Sequence, residues 1–261
     1  MSEPRNDFTD GAAYENYMGR WSKLVGRQFL AWLNPPPGSS WLDVGCGNGA
    51  FTDEVIARAN PRAVTGIDPS PEQIEYARSR HGAAQATYHV GDAQSLPFAD
   101  GSFNVTTMAL VIAFVPNPQK GIAEMCRVTK PGGQVAAYMW DLPKGLPGAP
   151  IIDVLTAMGL PYPLPQSAAF SQMDPLLKLW GEAGLKHVES KRINISVSFA
   201  DFDEFKAWSL LPSGPLTKAL FKLEGPAREE LYARLRQSLP KAKDSSIIYE
   251  SFANAIKGLR A

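Results

Sequence analysis

Three glycines at alternate positions, Gly45, Gly47 and Gly49, follow directly on the apolar run Trp41-Leu42-Asp43-Val44 and precede a segment of helical spacing from Ala50 to Arg58. A strand that runs through such a loop straight into a helix marks the start of a β-α-β unit, and so of a parallel sheet. Glycine permits positive φ and lets a ligand approach the main chain closely. The first turn of the following helix then aims unpaired N–H groups and its positive dipole end at that ligand. Asp43, two residues before the first glycine, adds a carboxylate. That charge suits a ligand bearing an ammonium group or hydroxyls and repels pyrophosphate.

The same alternation continues along the chain. Strands are expected at Ser40 to Val44, Ala63 to Ile67, Ala86 to Val90, Phe103 to Ala109 and Gln134 to Trp140. Helices are expected at Ala50 to Arg58, Pro71 to Arg80 and Pro118 to Val128, two of them opening on proline. Strands separated by helices of this length predict an α/β fold with a doubly wound, mostly parallel sheet. Ahead of it, Tyr14, Tyr17, Trp21, Leu24, Val25, Phe29 and Leu30 recur at helical spacing until Asn34-Pro35-Pro36-Pro37-Gly38 stops the helix. Beyond Trp140 the chain turns rich in proline and glycine. It then shows helical candidates at Ile151 to Met158, Met173 to Glu182, Asp201 to Leu211 and Ala227 to Leu239. Alternation over Val188 to Phe199, and more weakly over Ser246 to Ile256, predicts two further strands.

Composition narrows the partners. Of 261 residues 44% are hydrophobic, enough for one large domain with a substantial core. Lys+Arg and Asp+Glu both number 26, so no broad positive field exists to hold nucleic acid or an anionic membrane. The two cysteines, Cys46 and Cys126, make no disulfide framework. The polar start MSEPRNDFTDG has no signal-peptide core, and the longest apolar run, Met108 to Val115, is too short to span a bilayer. These features predict a cytoplasmic protein, a monomer or homodimer, acting on a small molecule. His81, His89 and His187 show no metal-ligand spacing, so no metal is expected.

Two further carboxylates stand where the next strands end. In Gly66-Ile67-Asp68-Pro69-Ser70, Asp68 is placed to accept from a ribose diol, with Ser70 the better N-cap for the helix at Pro71. In Gly91-Asp92-Ala93, Asp92 either accepts from an adenine amino group or closes an Asx turn.

Taken with Leu96-Pro97-Phe98, Phe103-Asn104-Val105 and Lys130-Pro131-Gly132-Gly133, these segments resemble, in order, the motifs of the class I S-adenosylmethionine-dependent methyltransferases. The nearest likeness is to the ubiquinone/menaquinone-biosynthesis group, and it covers residues 14 to 141. The resemblance implies seven strands in the order 3-2-1-4-5-7-6 with the last antiparallel. It implies one domain over 1–261, with an N-terminal lid helix at 10–34, a cofactor core at 40–141 and substrate-cap insertions at 142–172 and 200–244. It implies S-adenosylmethionine as cofactor and S-adenosylhomocysteine as product. Asp43 with the Gly45-Cys46-Gly47 backbone would hold the methionine end, Asp68 and Pro69 the ribose, and Asp92 and Ala93 the adenine. Ala109 and Leu110 would pass beside the sulfonium. Tyr14 and Arg20 of the lid helix would contact the cofactor, Arg20 through its carboxylate.

The acceptor side is less explicit. Where many relatives carry a His pair after strand four, this chain has Ala113 and Phe114, which removes one ready base and makes the pocket apolar. Asp141, ending strand five, is the remaining candidate base or polar anchor. Phe170, Trp180, Trp208 and Phe221 suggest an apolar lid over a small, partly apolar acceptor. Two other readings compete. A nicotinamide dehydrogenase needs Gly-x-Gly-x-x-Gly, whereas the third glycine here falls one residue early. A cofactor-binding protein without turnover would fit the missing His pair.

Overall fold

Strand β1 (Ser40–Val44) is buried at every residue, as a strand covered by helices on both faces must be. In the computed structural model, which describes residues 15–80, 84–160, 162–211 and 214–261, it lies near the middle of a seven-stranded sheet. β2 (Ala63–Asp68) pairs parallel on one side and is followed outward by β3 (Ala86–Val90). β4 (Phe103–Ala109) and then β5 (Thr129–Trp140) pair parallel on the other. β6 (Lys186–Phe199) forms the far edge, and β7 (Ile247–Leu259) inserts between β5 and β6, antiparallel to both. The order β3-β2-β1-β4-β5-β7-β6 is the one expected. The alternation read at Ile193, Ile195, Val197 and Phe199 is the buried face of β6.

Helix α1 (Arg20–Leu33) buries Trp21, Val25, Phe29, Leu30 and Leu33, one stripe at three- and four-residue spacing. It ends on Asn34, left-handed at φ 47°, whose N–H returns to the Leu30 carbonyl. Ahead of it, Glu15–Gly19 forms a π-helical turn, a wider coil than the continuous α-helix expected. Residues 10–14 of that expected helix, Tyr14 included, lie outside the described residues, as does His81.

α2 (Ala50–Ala59), α3 (Pro71–Ser79) and α4 (Pro118–Val128) make the crossovers. Ser70 and Asn117 cap α3 and α4, accepting from Gln73 and Lys120 N–H, with proline next in each helix. After β5 come α5 (Ala149–Ala157), α6 (Met173–Glu182), α7 (Phe202–Ser209), α8 (Gly214–Phe221) and α9 (Gly225–Ser238). α9 packs on α5, so the two stretches expected as insertions meet each other.

Two expectations are corrected. The strand expected from Gln134 begins earlier and takes in Lys130–Gly133, because Thr129 already pairs with Phe103 before the register shifts and resumes at Gln134. Between the helices expected at Asp201 to Leu211 and Ala227 to Leu239, where none was expected, lies α8, whose Leu216 and Leu220 are buried; their packing overrides the local proline and glycine.

The N-terminal helix is tied to the sheet through Phe29, fully buried with its ring 4.6 Å from that of Tyr138. Phe29→Ala is expected to lower unfolding free energy by about 3 to 5 kcal/mol, read as a shifted midpoint in urea denaturation.

Candidate functional site

The ends of β1 to β5 open into a cleft of about 850 Å³, the position where ligands bind in open α/β sheets. Its floor is the glycine loop. Gly45, Gly47 and Gly49 all have positive φ (72°, 51° and 81°). A Cβ on Gly45 would stand 2.6 Å from the Val111 side chain, so only glycine fits there. Gly45 and Cys46 N–H both donate to the Ile67 carbonyl, at 2.7 and 3.0 Å, clamping the loop to the end of β2. Burial pushes the Cys46 thiol well up, so it stays neutral and serves as a small loop residue.

Asp68 completes the clamp. Its Oδ2 accepts from Gly47 N–H at 2.9 Å, and its Oδ1 from Ser70 N–H at 2.9 Å. One carboxylate therefore fixes both the loop and the first turn into α3 while lining the cleft. Burial raises its pKa, and the two amides oppose that rise. Asp92 also lines the cleft, oriented by an Asx turn in which Gln94 N–H donates to it at 2.8 Å. The turn and the ligand-facing position are thus compatible. Pro69, Ala93, Ala109 and Leu110 join them. Leu110 is left-handed at φ 62°, held by its N–H on the Tyr138 carbonyl at 2.8 Å; such strain concentrates at ligand sites.

Asp43 is placed differently. It is fully buried beneath the loop and is not among the cleft-lining residues. The Thr52 hydroxyl donates to its Oδ2 at 2.7 Å, while Oδ1 has no partner. Desolvation pushes its pKa up to about 7.

The N-terminal turn closes one side. Glu15 lines the cleft and binds Arg80 at 2.7 Å and Lys23 at 2.7 Å; Arg80 also holds Asp53 at 2.6 Å. The Arg80 guanidinium, with Lys23, holds Glu15 down to about 2.

Two candidates lie elsewhere. Arg20 is exposed, its guanidinium over the Trp21 and Phe199 rings, with Glu204 at 3.3 Å. It faces away because the cleft side of this helix start is taken by Tyr17, Met18 and Gly19. Asp141 accepts from Asn254 Nδ2 at 2.8 Å and is not a lining residue; it joins β5 to β7.

The apolar lid is also corrected. Phe170, Trp180, Trp208 and Phe221 do not line the cleft. Trp180 is buried with its indole N–H on the Val135 carbonyl, and Phe221 faces solvent. The apolar lining comes instead from Tyr17, Met18, Leu142, Leu146, Tyr162, Leu164 and Leu216, with Phe114 where the His pair was missing. Tyr17 and Met139 are nearly inaccessible, yet each turns an edge to the cavity. Among the described residues no group of three or more His, Cys, Asp or Glu is arranged to hold a metal, and no helix is long and apolar enough to cross a membrane.

Comparison with known proteins agrees with this geometry. Residues 42–137 match the family described as "Methyltransferase domain". The chain is 40% identical over 92 residues to a chloroplastic 2-methyl-6-phytyl-1,4-hydroquinone methyltransferase of rice, covering 35% of this chain and 26% of that protein. It is 27% identical over 197 residues to a ubiquinone/menaquinone biosynthesis C-methyltransferase of Roseobacter denitrificans, covering 67% and 78%. Its fold matches phosphoethanolamine N-methyltransferase 2 of Haemonchus contortus in complex with S-adenosyl-L-methionine, with TM-score 0.58, 18% identity and 95% and 56% of the two chains covered. The chain thus spans about a quarter of the rice relative's length and about three quarters of the bacterial one's.

Sheet order, glycine loop and domain match identify a class I S-adenosylmethionine-dependent methyltransferase fold. Within that class the chain is similar to the ubiquinone/menaquinone-biosynthesis group.

The class cofactor fits the residues present. A buried carboxylate oxygen without a partner underlies the loop, and acids end β2 and follow β3. Among the described lining residues the single cation, Lys23, is bound to Glu15, leaving none for a pyrophosphate.

Asp68→Ala is expected to weaken S-adenosylhomocysteine binding by at least tenfold in calorimetry, since it frees Gly47 N–H and removes a charged acceptor. Asp43 carries its own pH signature. Its folded-state pKa lies above the unfolded one, so folding takes up a proton between about pH 4 and pH 7, and stability falls as pH rises through that window. Melting temperature should decline across it in the unliganded wild type, and Asp43→Asn should flatten that decline.

Proposed function

We propose that this protein transfers a methyl group from S-adenosylmethionine to a small, neutral, largely apolar acceptor. The carrying observation is the segregation of charge in the cleft. Of the lining carboxylates, Asp68, Glu72 and Asp92 follow the glycine loop in the chain, while Glu15 and Glu54 are neutralised by Lys23 and Arg80 and by Arg27 and Arg58. The far end is walled by Met18, Leu142, Leu146, Leu164 and Leu216, with Tyr17, Tyr162 and Gln166 as neutral polar lining residues. A phosphate or carboxylate brought there would lose its hydration without gaining a cation.

Bound there, the cofactor supplies an electrophilic methyl on a sulfonium. The protein's part is placement. Gly45, Gly47 and Asp68 hold the donor side, and the strained Leu110 backbone fixes the wall at the tip of β4. Phe114 and the leucines exclude water, so the acceptor meets the methyl group already oriented and desolvated. No carboxylate or imidazole is among the described residues walling the acceptor end. The proton that a hydroxyl acceptor gives up on methylation is therefore left to solvent and not to a side chain of that wall. The rice relative's named acceptor, 2-methyl-6-phytyl-1,4-hydroquinone, is neutral and mostly apolar, which supports this assignment by analogy.

Methyl transfer, followed as S-adenosylhomocysteine formed, should show kcat/KM at least tenfold higher for neutral phenols and hydroquinones than for phosphorylated or carboxylated analogues of the same size. Equal or reversed preference rejects the neutral acceptor; formation with no acceptor in the panel rejects the transferase reading.

A further inference from the structure

A side-chain amide on the cleft wall lies between two groups that need opposite ends of it. Gln94 lines the cleft next to Asp92 and Ala93. Its Nε2 stands 3.2 and 3.1 Å from the two carboxylate oxygens of Asp92, and its Oε1 accepts from Asn117 N–H at 3.1 Å. Turned over, the amide would set an oxygen against the carboxylate and an NH2 against an N–H, so one orientation alone serves. The Gln94 main-chain N–H also donates to Asp92 Oδ1, at 2.8 Å. One residue thus holds the carboxylate through both its main chain and its side chain. A carboxylate has about four lone-pair sites, so acceptor capacity remains for a ligand in the cleft.

Asn117, at the other end of the amide, is where the cleft wall meets α4. Its side chain caps that helix, accepting from Lys120 N–H at 3.0 Å. Before it runs the loop from Leu110 to Pro116, of which Leu110, Val111, Phe114, Val115 and Pro116 line the cleft. The start of the loop hangs on β5 through Leu110 N–H and the Tyr138 carbonyl. Its middle is held by Ser167, whose N–H donates to the Ala113 carbonyl at 3.2 Å and whose hydroxyl donates to the Val115 carbonyl at 2.7 Å. Of these ties, the one at Asn117 crosses to the turn after β3.

We propose that Gln94 is a positioning residue of the donor site: it aims the Asp92 carboxylate at the adenine amino group of S-adenosylmethionine and, through Asn117 N–H, fixes the end of the Leu110–Pro116 wall against the same turn. This rests on the methyltransferase reading of the cleft and on Asp92 as the adenine's acceptor. Asp92, Gln94 and Asn117 all reach solvent, so water replaces the lost bonds when the amide is removed, and stability scarcely changes. What is lost is the preset direction of the carboxylate, and the cost of ordering it then counts against cofactor binding.

The test titrates the full-length wild type, Gln94→Leu and Gln94→Glu with S-adenosylhomocysteine at pH 8 and pH 5. Gln94→Leu removes both ends of the bridge and should weaken binding roughly fivefold to tenfold relative to wild type at either pH, with the urea midpoint unchanged. Gln94→Glu keeps an acceptor for Asn117 N–H but sets a second carboxylate against Asp92. Its affinity should fall at least tenfold below wild type at pH 8 and return to within about threefold at pH 5, where the paired carboxyls share a proton and the bridge re-forms. Amide exchange at Asn117, followed at pH 6, reads the other end: roughly threefold faster in Gln94→Leu and unchanged in Gln94→Glu. A purely structural role would move affinity together with the urea midpoint and give both variants one pH profile; that result overturns the proposal. Wild-type affinity in Gln94→Leu, or unchanged Asn117 exchange there, overturns it equally. Asp92→Asn separates the levels, because wild-type affinity in that variant removes the adenine role and this proposal while leaving the donor site at Asp68 standing. Failure of the wild type to bind S-adenosylhomocysteine overturns the donor reading and this one with it.

Discussion

The carboxylate of Asp68 sits where β2 stops, and two main-chain amides from opposite directions end on it. Gly47 N–H reaches one oxygen and Ser70 N–H the other. Without that bridge the glycine loop would be a segment of freely rotating residues, since glycine loses more backbone entropy on ordering than any other residue. With it, and with Gly45 and Cys46 amides on the Ile67 carbonyl, the loop is built before a ligand arrives. Preformed sites spare the ordering cost that a flexible loop would charge against affinity. The parallel sheet explains why one residue can do this. β1 and β2 end side by side at the same edge, with Val44 in register with Ile67, so the turn leaving one strand reaches the tip of the other.

Burial of acids is the second organising fact. Asp43 and Asp68 are both taken out of water near a loop whose neighbouring cation, Arg80, is bound to Glu15 and Asp53, and both are raised in pKa by desolvation. Asp43 lacks even a full set of hydrogen bonds. A fold keeps such groups at a cost to stability, and a positively charged ligand relieves it. The same electrostatics separates this cleft from a dinucleotide site, where carboxylates beneath the phosphates would oppose binding.

Much of the glycine-loop half of the cleft was legible in the chain alone because it depends on local rules. Alternate glycines, capping Ser70 and Asn117, and proline at helix starts each act over a few residues. What sequence could not show was direction. Arg20 and Tyr17 lie three residues apart at the start of one helical stretch, and the packing of Trp208 against Tyr17 sends the tyrosine to the cleft and leaves the arginine stacked outside on Trp21 and Phe199. Asp141 looked free at a strand end, yet Asn254, more than a hundred positions later, occupies it. Helix α8 was hidden because its stability comes from buried Leu216 and Leu220 and not from local propensity.

The cleft has two manufacturers. Its glycine-loop side comes from consecutive strand tips, one stretch of the chain between Gly45 and Leu110. Its far wall is assembled from Tyr17 before the sheet, Gly148 and Tyr162 after β5, and Leu216 in α8, segments brought together only by folding. Mutational drift or a loop insertion in any of the latter can reshape the far wall without touching the glycine loop and the strand tips. A lineage built this way can change its customers while its chemistry stays the same.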